Sequence, residues 1–172
     1  MQYITSAQLA ERPGAQELAQ VATAAHLRLV AAELMEATLR GGDRSAWTVD
    51  EVAAADDALQ RIDNAVAQAE GMIDGFLARR SYPLPLSPVP GLVTGWTRDI
   101  ARYLLHKDRR GVEDSDPIVR AYRDALRFLE LTAAGKFSLG AEDPVQQDPN
   151  ALDVRFEAAP NVFNRDQLKG FR

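Results

Sequence analysis

Between Val52 and Phe76 the residues Val52, Ala55, Leu59, Ile62, Val66, Ala69, Ile73 and Phe76 recur at alternating steps of three and four. At 3.6 residues per turn this spacing gathers them on one continuous helix face; a strand, whose sides alternate every second residue, cannot do so. A helix this long with one apolar face needs partners that cover it. Its start is also written in the chain. Trp47 precedes Thr48-Val49-Asp50-Glu51-Val52, where Thr48 and Glu51 fit a capping box and Trp47 and Val52 a hydrophobic staple, so a helix is predicted from Val49. A heptad stripe also suits a coiled coil, but other amphipathic segments in the chain favour the core helix of a bundle.

Thr5-Ser6-Ala7-Gln8 reads as a second capping box, stapled by Ile4 and Leu9, for a short helix that stops at Arg12 because Pro13-Gly14 cannot continue it. Residues 15–40 are rich in Ala, Leu, Glu and Gln and predict one long helix ending at Gly41-Gly42. It carries a stripe of Leu18, Val21, Ala25 and Leu29 and a neighbouring stripe of Leu27, Val30 and Leu34. Pro90 opens another helix with Val93, Trp96, Ile100, Tyr103 and Leu104 inward, closing near the cations of His106-Lys107-Asp108-Arg109-Arg110. Asp116 as cap and Pro117 at the first helical position start a last one, with Ile118, Tyr122, Leu126, Leu129 and Ala133 inward and Gly135 at its end. The expected fold is all-α: a bundle of four main helices plus a short N-terminal helix, with an extended C-terminal arm.

Two segments cannot join the helices. In Ser81-Tyr82-Pro83-Leu84-Pro85-Leu86-Ser87-Pro88-Val89-Pro90 each proline lacks an N–H and pushes its predecessor toward extended geometry. Its apolar residues Tyr82, Leu84 and Leu86 are expected to lie over the bundle or to meet another subunit. After Gly140, Pro144, Pro149 and Pro160 interrupt a polar stretch in which Val162, Phe163, Leu168 and Phe171 are too widely spaced to form a core. The chain is therefore divided into a helical domain, residues 1–140, and an arm, residues 141–172.

The balance of 46% hydrophobic and 26% charged residues is that of a globular protein. A net charge of −5 argues against general coating of nucleic acid, which depends on clustered cations. Only residues 81–140 lean basic, with 9 cations against 7 acids. The sequence has no cysteine, so disulfides, thiol nucleophiles and Cys-type zinc sites are ruled out. No signal-peptide pattern opens the chain and no run approaches a membrane span, so neither export by that route nor membrane association is expected.

His26 and His106 have no ligand-type partner spacing; His26 is expected packed or half-exposed on its helix, His106 as a cation at a helix end. The adjacent acids Asp56-Asp57, Glu113-Asp114 and Glu142-Asp143 read as solvated faces and caps, since the run near Asp114 lacks the glycine and distal glutamate of a calcium loop. Gly41-Gly42 and Gly135-Lys136 do not make a phosphate loop, and neither Ser87 nor Ser138 has a recognisable base. No catalytic residue, cofactor or metal is expected, and the chain is read as a protein that is not an enzyme.

A wider pattern now stands out. Tyr3-Ile4-Thr5 with Leu9 and Arg12 is followed by Ile73-Asp74-Gly75-Phe76-Leu77 with Arg80, then Tyr82-Pro83-Leu84-Pro85-Leu86 and Asp99-Ile100-Ala101-Arg102-Tyr103. Tyr122-Arg123-Asp124-Ala125-Leu126-Arg127-Phe128-Leu129, Gly135-Lys136, and Phe163-Asn164-Arg165-Asp166 with Leu168-Lys169-Gly170-Phe171 complete it. In these motifs, across nearly its whole length, the chain resembles the Mu-like prophage head-tail connector family, with the stretch between the first short helix and Ile73 longer than in typical members and Leu27 to Asp43 as the extra material. The resemblance implies a virion protein at the neck, present in host cytoplasm during assembly, whose copies form a cyclic ring of about twelve under the portal protein and above a tail-side neck or tail terminator protein. On that reading Tyr82, Leu84, Leu86, Val162, Phe163, Arg165, Leu168 and Phe171 contact neighbouring subunits or partners, and Lys107, Arg109 and Arg110 touch DNA passing through the channel. The alternative is a helical nucleic-acid-binding or regulatory protein using residues 98–110 with Arg120, Arg123 and Arg127 as a basic face.

Overall fold

The computed structural model describes residues 1–107 and 116–140, all helix, turn or irregular chain. The helices are α1 (Ser6–Leu9), α2 (Ala15–Ala22), α3 (Ala32–Arg40), α4 (Val49–Ala78), α5 (Gly91–His106) and α6 (Pro117–Ala133). Both capping boxes form. The Thr48 N–H donates to Glu51 Oε2 at 3.0 Å and the Glu51 N–H returns to Thr48 Oγ1 at 3.4 Å, while Thr5 and Gln8 exchange bonds of 2.9 and 3.3 Å. Asp116 caps α6 through the Ile118 N–H at 2.8 Å, with Pro117 at the first helical position. Gly41, at φ +66°, closes α3 in the left-handed conformation that a side chain would strain.

The apolar face of α4 is the spine. Ala55, Ala58, Ile62, Val66, Ala69, Ile73 and Leu77 are buried along it, and Val52, Leu59 and Phe76 are half-buried. α5 and α6 pack with α4 as an antiparallel three-helix unit. Residues near Ala101 and Leu105 meet Ile62 and Val66, Trp96 lies against Phe128, and Tyr103 stacks on Tyr122 at 3.9 Å. α4 has 30 residues and α5 16, about 45 Å against about 24 Å of helix, so the first turns of α4 extend beyond the reach of α5. α2 and α3 supply the missing cover.

Here the structure corrects the sequence reading. Residues 15–40 do not form one helix: the chain leaves α2 after Ala22, turns through residues 23–31 and returns as α3, so among the described residues the bundle has five substantial helices rather than four. On a straight helix the stripe of Leu27, Val30 and Leu34 would face roughly 180° away from that of Leu18, Val21 and Ala25. Folding back lets Leu18, Val30 and Leu34 enter one core, exposed by 1%, 6% and 1%. Thr23 fixes the break. Its hydroxyl donates to the Ala19 carbonyl at 2.6 Å and accepts the Val30 N–H at 3.3 Å, closing the loop across its ends. His26, expected on a helix, is exposed in this turn.

The N-terminal residues are pinned to the spine. The N–H groups of Gln2 and Tyr3 donate to the buried Glu70 carboxylate at 2.5 and 2.9 Å, Tyr3 Oη donates to Asp74, and the Tyr3 carbonyl accepts from Thr94 Oγ1 at 2.9 Å. Burial first, then the hydrogen bond to Asp74, pushes the Tyr3 phenol up to about 12.

Two outcomes follow from this packing. Ile62→Ala, at a fully buried seam position, should cost about 2–5 kcal/mol in denaturant unfolding, whereas Val49→Ser, at an exposed one, should stay within about 0.5 kcal/mol. Because the Tyr3 value is raised on folding, its contribution is complete below pH 10 and is lost as pH rises toward 12. Wild type should therefore lose on the order of 2 kcal/mol more than Tyr3→Phe over that interval, read as the difference between their alkaline unfolding curves.

Candidate interaction surface

The polar groups that the fold brings together serve the fold first. Glu17 on α2 faces Arg102 and His106 on α5. Arg102 Nε and Nη2 lie 2.5 and 2.7 Å from its two oxygens, and His106 Nε2 lies 2.9 Å from Oε1. Burial raises the Glu17 carboxyl, but the Arg102 and His106 hydrogen bonds and charges outweigh it and leave the group below its ordinary value. This cluster ties the C-terminal end of α5 to the α2–α3 hairpin. His106 does sit at a helix end, as expected, yet it is only 6% exposed and takes its partner from a helix 89 residues earlier, a pairing that spacing cannot reveal. Arg102 is likewise engaged by Glu17, though a third of its side chain stays exposed, which ties up a cation of the basic face that a nucleic-acid reading would use.

No three His, Asp or Glu side chains among the described residues are grouped to hold a metal ion. Asp57 pairs with Arg61 at 3.0 Å and Asp56 with Arg44, both toward solvent. Burial raises the Asp99 carboxyl, with Arg98, Arg12 and Arg102 opposing the shift. Ser138, which accepts the Gly140 N–H at 3.2 Å, closes a small turn.

What the surface offers instead is apolar contact. Leu27 and Leu29, 37% and 56% exposed, flank a groove of about 280 Å³ at the start of α4, lined further by Val30, Leu34, Trp47 and Ala54 and bordered by Arg28, Asp50 and Glu51. At the opposite end Phe128, 41% exposed, stacks on Trp96 with ring centroids 6.3 Å apart and touches Phe137 at 5.3 Å; Leu92 nearby on α5 is also exposed. The sequence reading named neither patch, although the stripe of Leu27, Val30 and Leu34 was the signal that this part of the chain has two apolar sides.

Of the contact residues read from sequence, Tyr82 and Leu86 are 7% and 9% exposed and belong to the chain's own core, in a connector of bends between α4 and α5. They lie over the bundle, in one buried apolar cluster with Tyr3, Ile73, Leu77 and Val93. Leu84 remains open to solvent at 38%. Lys107 is exposed at the end of α5, beside a depression lined also by Arg61, Asn64 and Gln68. Arg120, Arg123 and Arg127 lie exposed along α6. Arg109, Arg110, Val162, Phe163, Arg165, Leu168 and Phe171 lie outside the described residues, as does the whole arm.

Comparison with known proteins adds a consistent result. The family described as Bacteriophage Mu, Gp36 matches residues 3–158. The Mu-like prophage FluMu protein gp36 of Haemophilus influenzae is 34% identical over 134 residues, which cover 78% of this chain and 89% of that protein. Gene product J of Escherichia phage Mu is 36% identical over 117 residues, 67% of this chain and 77% of the relative.

The Glu17 cluster gives a testable pH dependence. A carboxyl lowered on folding stabilises above its unfolded value, 4.5, and that contribution disappears as pH falls through the folded value. Glu17→Gln should lose roughly 1–3 kcal/mol at pH 7 and show a flatter acid limb than wild type when unfolding is followed by circular dichroism.

Proposed function

This chain is a member of the Bacteriophage Mu Gp36 family, and from that premise we propose that it is a structural virion protein, a head-tail connector or head-completion adaptor whose copies form a ring beneath the portal. The observation that carries the reading is the family match over most of the chain, together with relatives from a phage and a prophage. The fold supports it: a helical bundle with a spine about 45 Å long presents exposed apolar residues at both ends, Leu27 and Leu29 at one and Leu92 and Phe128 at the other. A ring of about twelve identical subunits would close by repeating one unlike pair of such surfaces.

In this role the portal lies on the head side and a tail-side neck or tail terminator protein on the other. Leu84 and the arm residues Val162, Phe163, Arg165, Leu168 and Phe171 make contacts between subunits or to those partners. Lys107, Arg109 and Arg110 meet packaged DNA only in passing. Binding DNA as a main task is the second reading, favoured by the exposed Arg120, Arg123 and Arg127 and opposed by the net charge of −5.

Negative-stain electron microscopy of the purified full chain should show rings of about twelve subunits, the count expected of a portal-matched closed assembly. Removing residues 160–172 should leave the helical circular dichroism of the bundle intact and reduce ring formation and incorporation into virions. Unchanged incorporation would defeat the assignment of contacts to the arm. Measurable duplex-DNA affinity of the isolated protein at physiological salt would favour the second reading.

A further inference from the structure

We infer that the groove at the start of α4 is the seat for residues 160–172 of a neighbouring copy of this chain. The placement rests on the ring reading above and goes beyond it by naming both halves of one contact. The groove exists because α4 outlasts α5. The α2–α3 hairpin covers the overhang but leaves an apolar trough between the turn and the first residues of α4, where Leu27, Leu29, Val30, Leu34, Trp47 and Ala54 meet. The trough measures about 280 Å³ and Leu29 is more than half exposed beside it, so covering it removes apolar surface from water.

The chain contains a segment of matching chemistry. Residues 160–172 hold Val162, Phe163, Leu168 and Phe171 among polar neighbours, and their charges are Arg165, Lys169 and Arg172 against Asp166 alone. The rim of the groove carries two carboxylates, Asp50 and Glu51, against Arg28. Glu51 is exposed, and the Thr48 N–H and then its hydroxyl hold its carboxyl below the ordinary value. A cationic, apolar peptide and an anionic, apolar trough complement each other.

Position favours a neighbour as donor. The described chain ends at Gly140 near the C-terminal end of α4, where Gly135 sits against Arg80, while the groove lies at the other end of the spine, about 45 Å away. A contact that joins one end of a subunit to the opposite end of the next is heterologous, and its repetition closes a ring. Docking of the segment in its own groove is sterically reachable, because residues 141–161 fully extended span up to roughly 70 Å, so the test must separate the two.

The absence of cysteine makes the test clean. Leu29→Cys and Phe163→Cys are placed in separate full-length chains, one carrying a size tag, then mixed and mildly oxidised; Gln60→Cys, on an exposed part of α4, replaces Leu29→Cys as the control. Seating in a neighbour predicts roughly tenfold more disulfide-linked heterodimer than the control pair gives, as expected when docking raises local concentration. Enrichment no greater than the control overturns the proposal. A chain carrying both cysteines that links only to itself, with no link between mixed chains, overturns it in favour of the segment's own groove. Microscopy of the wild type in the same buffer keeps the two readings apart. Rings without the 29–163 link sink the groove and leave the connector role standing; the link without rings supports the groove and counts against the ring; neither rings nor link overturns both.

Discussion

α4 carries an apolar seam that runs its whole length, and no other helix among the described residues is long enough to cover it. Everything else in the architecture answers that mismatch. α5 descends antiparallel along the C-terminal part and α6 follows it, while the N-terminal overhang falls to the α2–α3 hairpin, so α2, α3, α5 and α6 all pack on α4. Hydrophobic burial supplies the drive, roughly in proportion to the apolar area covered. The lengths of the helices decide where cover is complete and where it is not. The open groove at Leu27 and Leu29 is the remainder of that length difference.

Burial alone would let helices slide, and two polar clusters set their register. At one end Glu70 and Asp74 hold the backbone and phenol of Tyr3, which in turn accepts from Thr94 on α5. Nearer the middle Glu17 joins α2 to Arg102 and His106 on α5. Buried ionic groups add little net stability over apolar replacements, because desolvation offsets much of the attraction, but an unpaired one is costly. Both clusters therefore penalise every arrangement in which their partners are out of reach, and they connect parts of the chain far apart in sequence: residue 3 with 74, and 17 with 106.

The elements most legible in the sequence were those specified locally. Thr48 with Glu51, Thr5 with Gln8, and Asp116 before Pro117 all mark helix starts through bonds made within a few residues, and the period of the Val52 to Phe76 stripe needs no knowledge of its partners. The break at residues 23–31 was hidden because good helix formers run straight through it. What decides it is tertiary: two apolar stripes on opposite sides cannot both reach one core without a turn, and Thr23 then has a hydroxyl in place to close it. Tyr82 and Leu86 read equally well as internal or intersubunit contacts, since a proline-rich apolar segment is covered in either case; in the fold both join the cluster around Tyr3. The groove was illegible for the same reason, being a property of how far α5 reaches rather than of any motif. Motifs scattered along the chain did indicate the phage family to which it belongs.

The two tryptophans stand at opposite ends of this spine. Trp96 is enclosed among Phe128, Phe137 and the core, whereas Trp47 stands half-buried in the wall of the open groove. Indole emission depends on contact with water, so the chain carries two built-in optical reporters with separate jurisdictions. One registers whether the bundle is intact. The other registers whether anything has settled against the start of α4, which allows the occupancy of a single face to be followed without attaching a label to the protein.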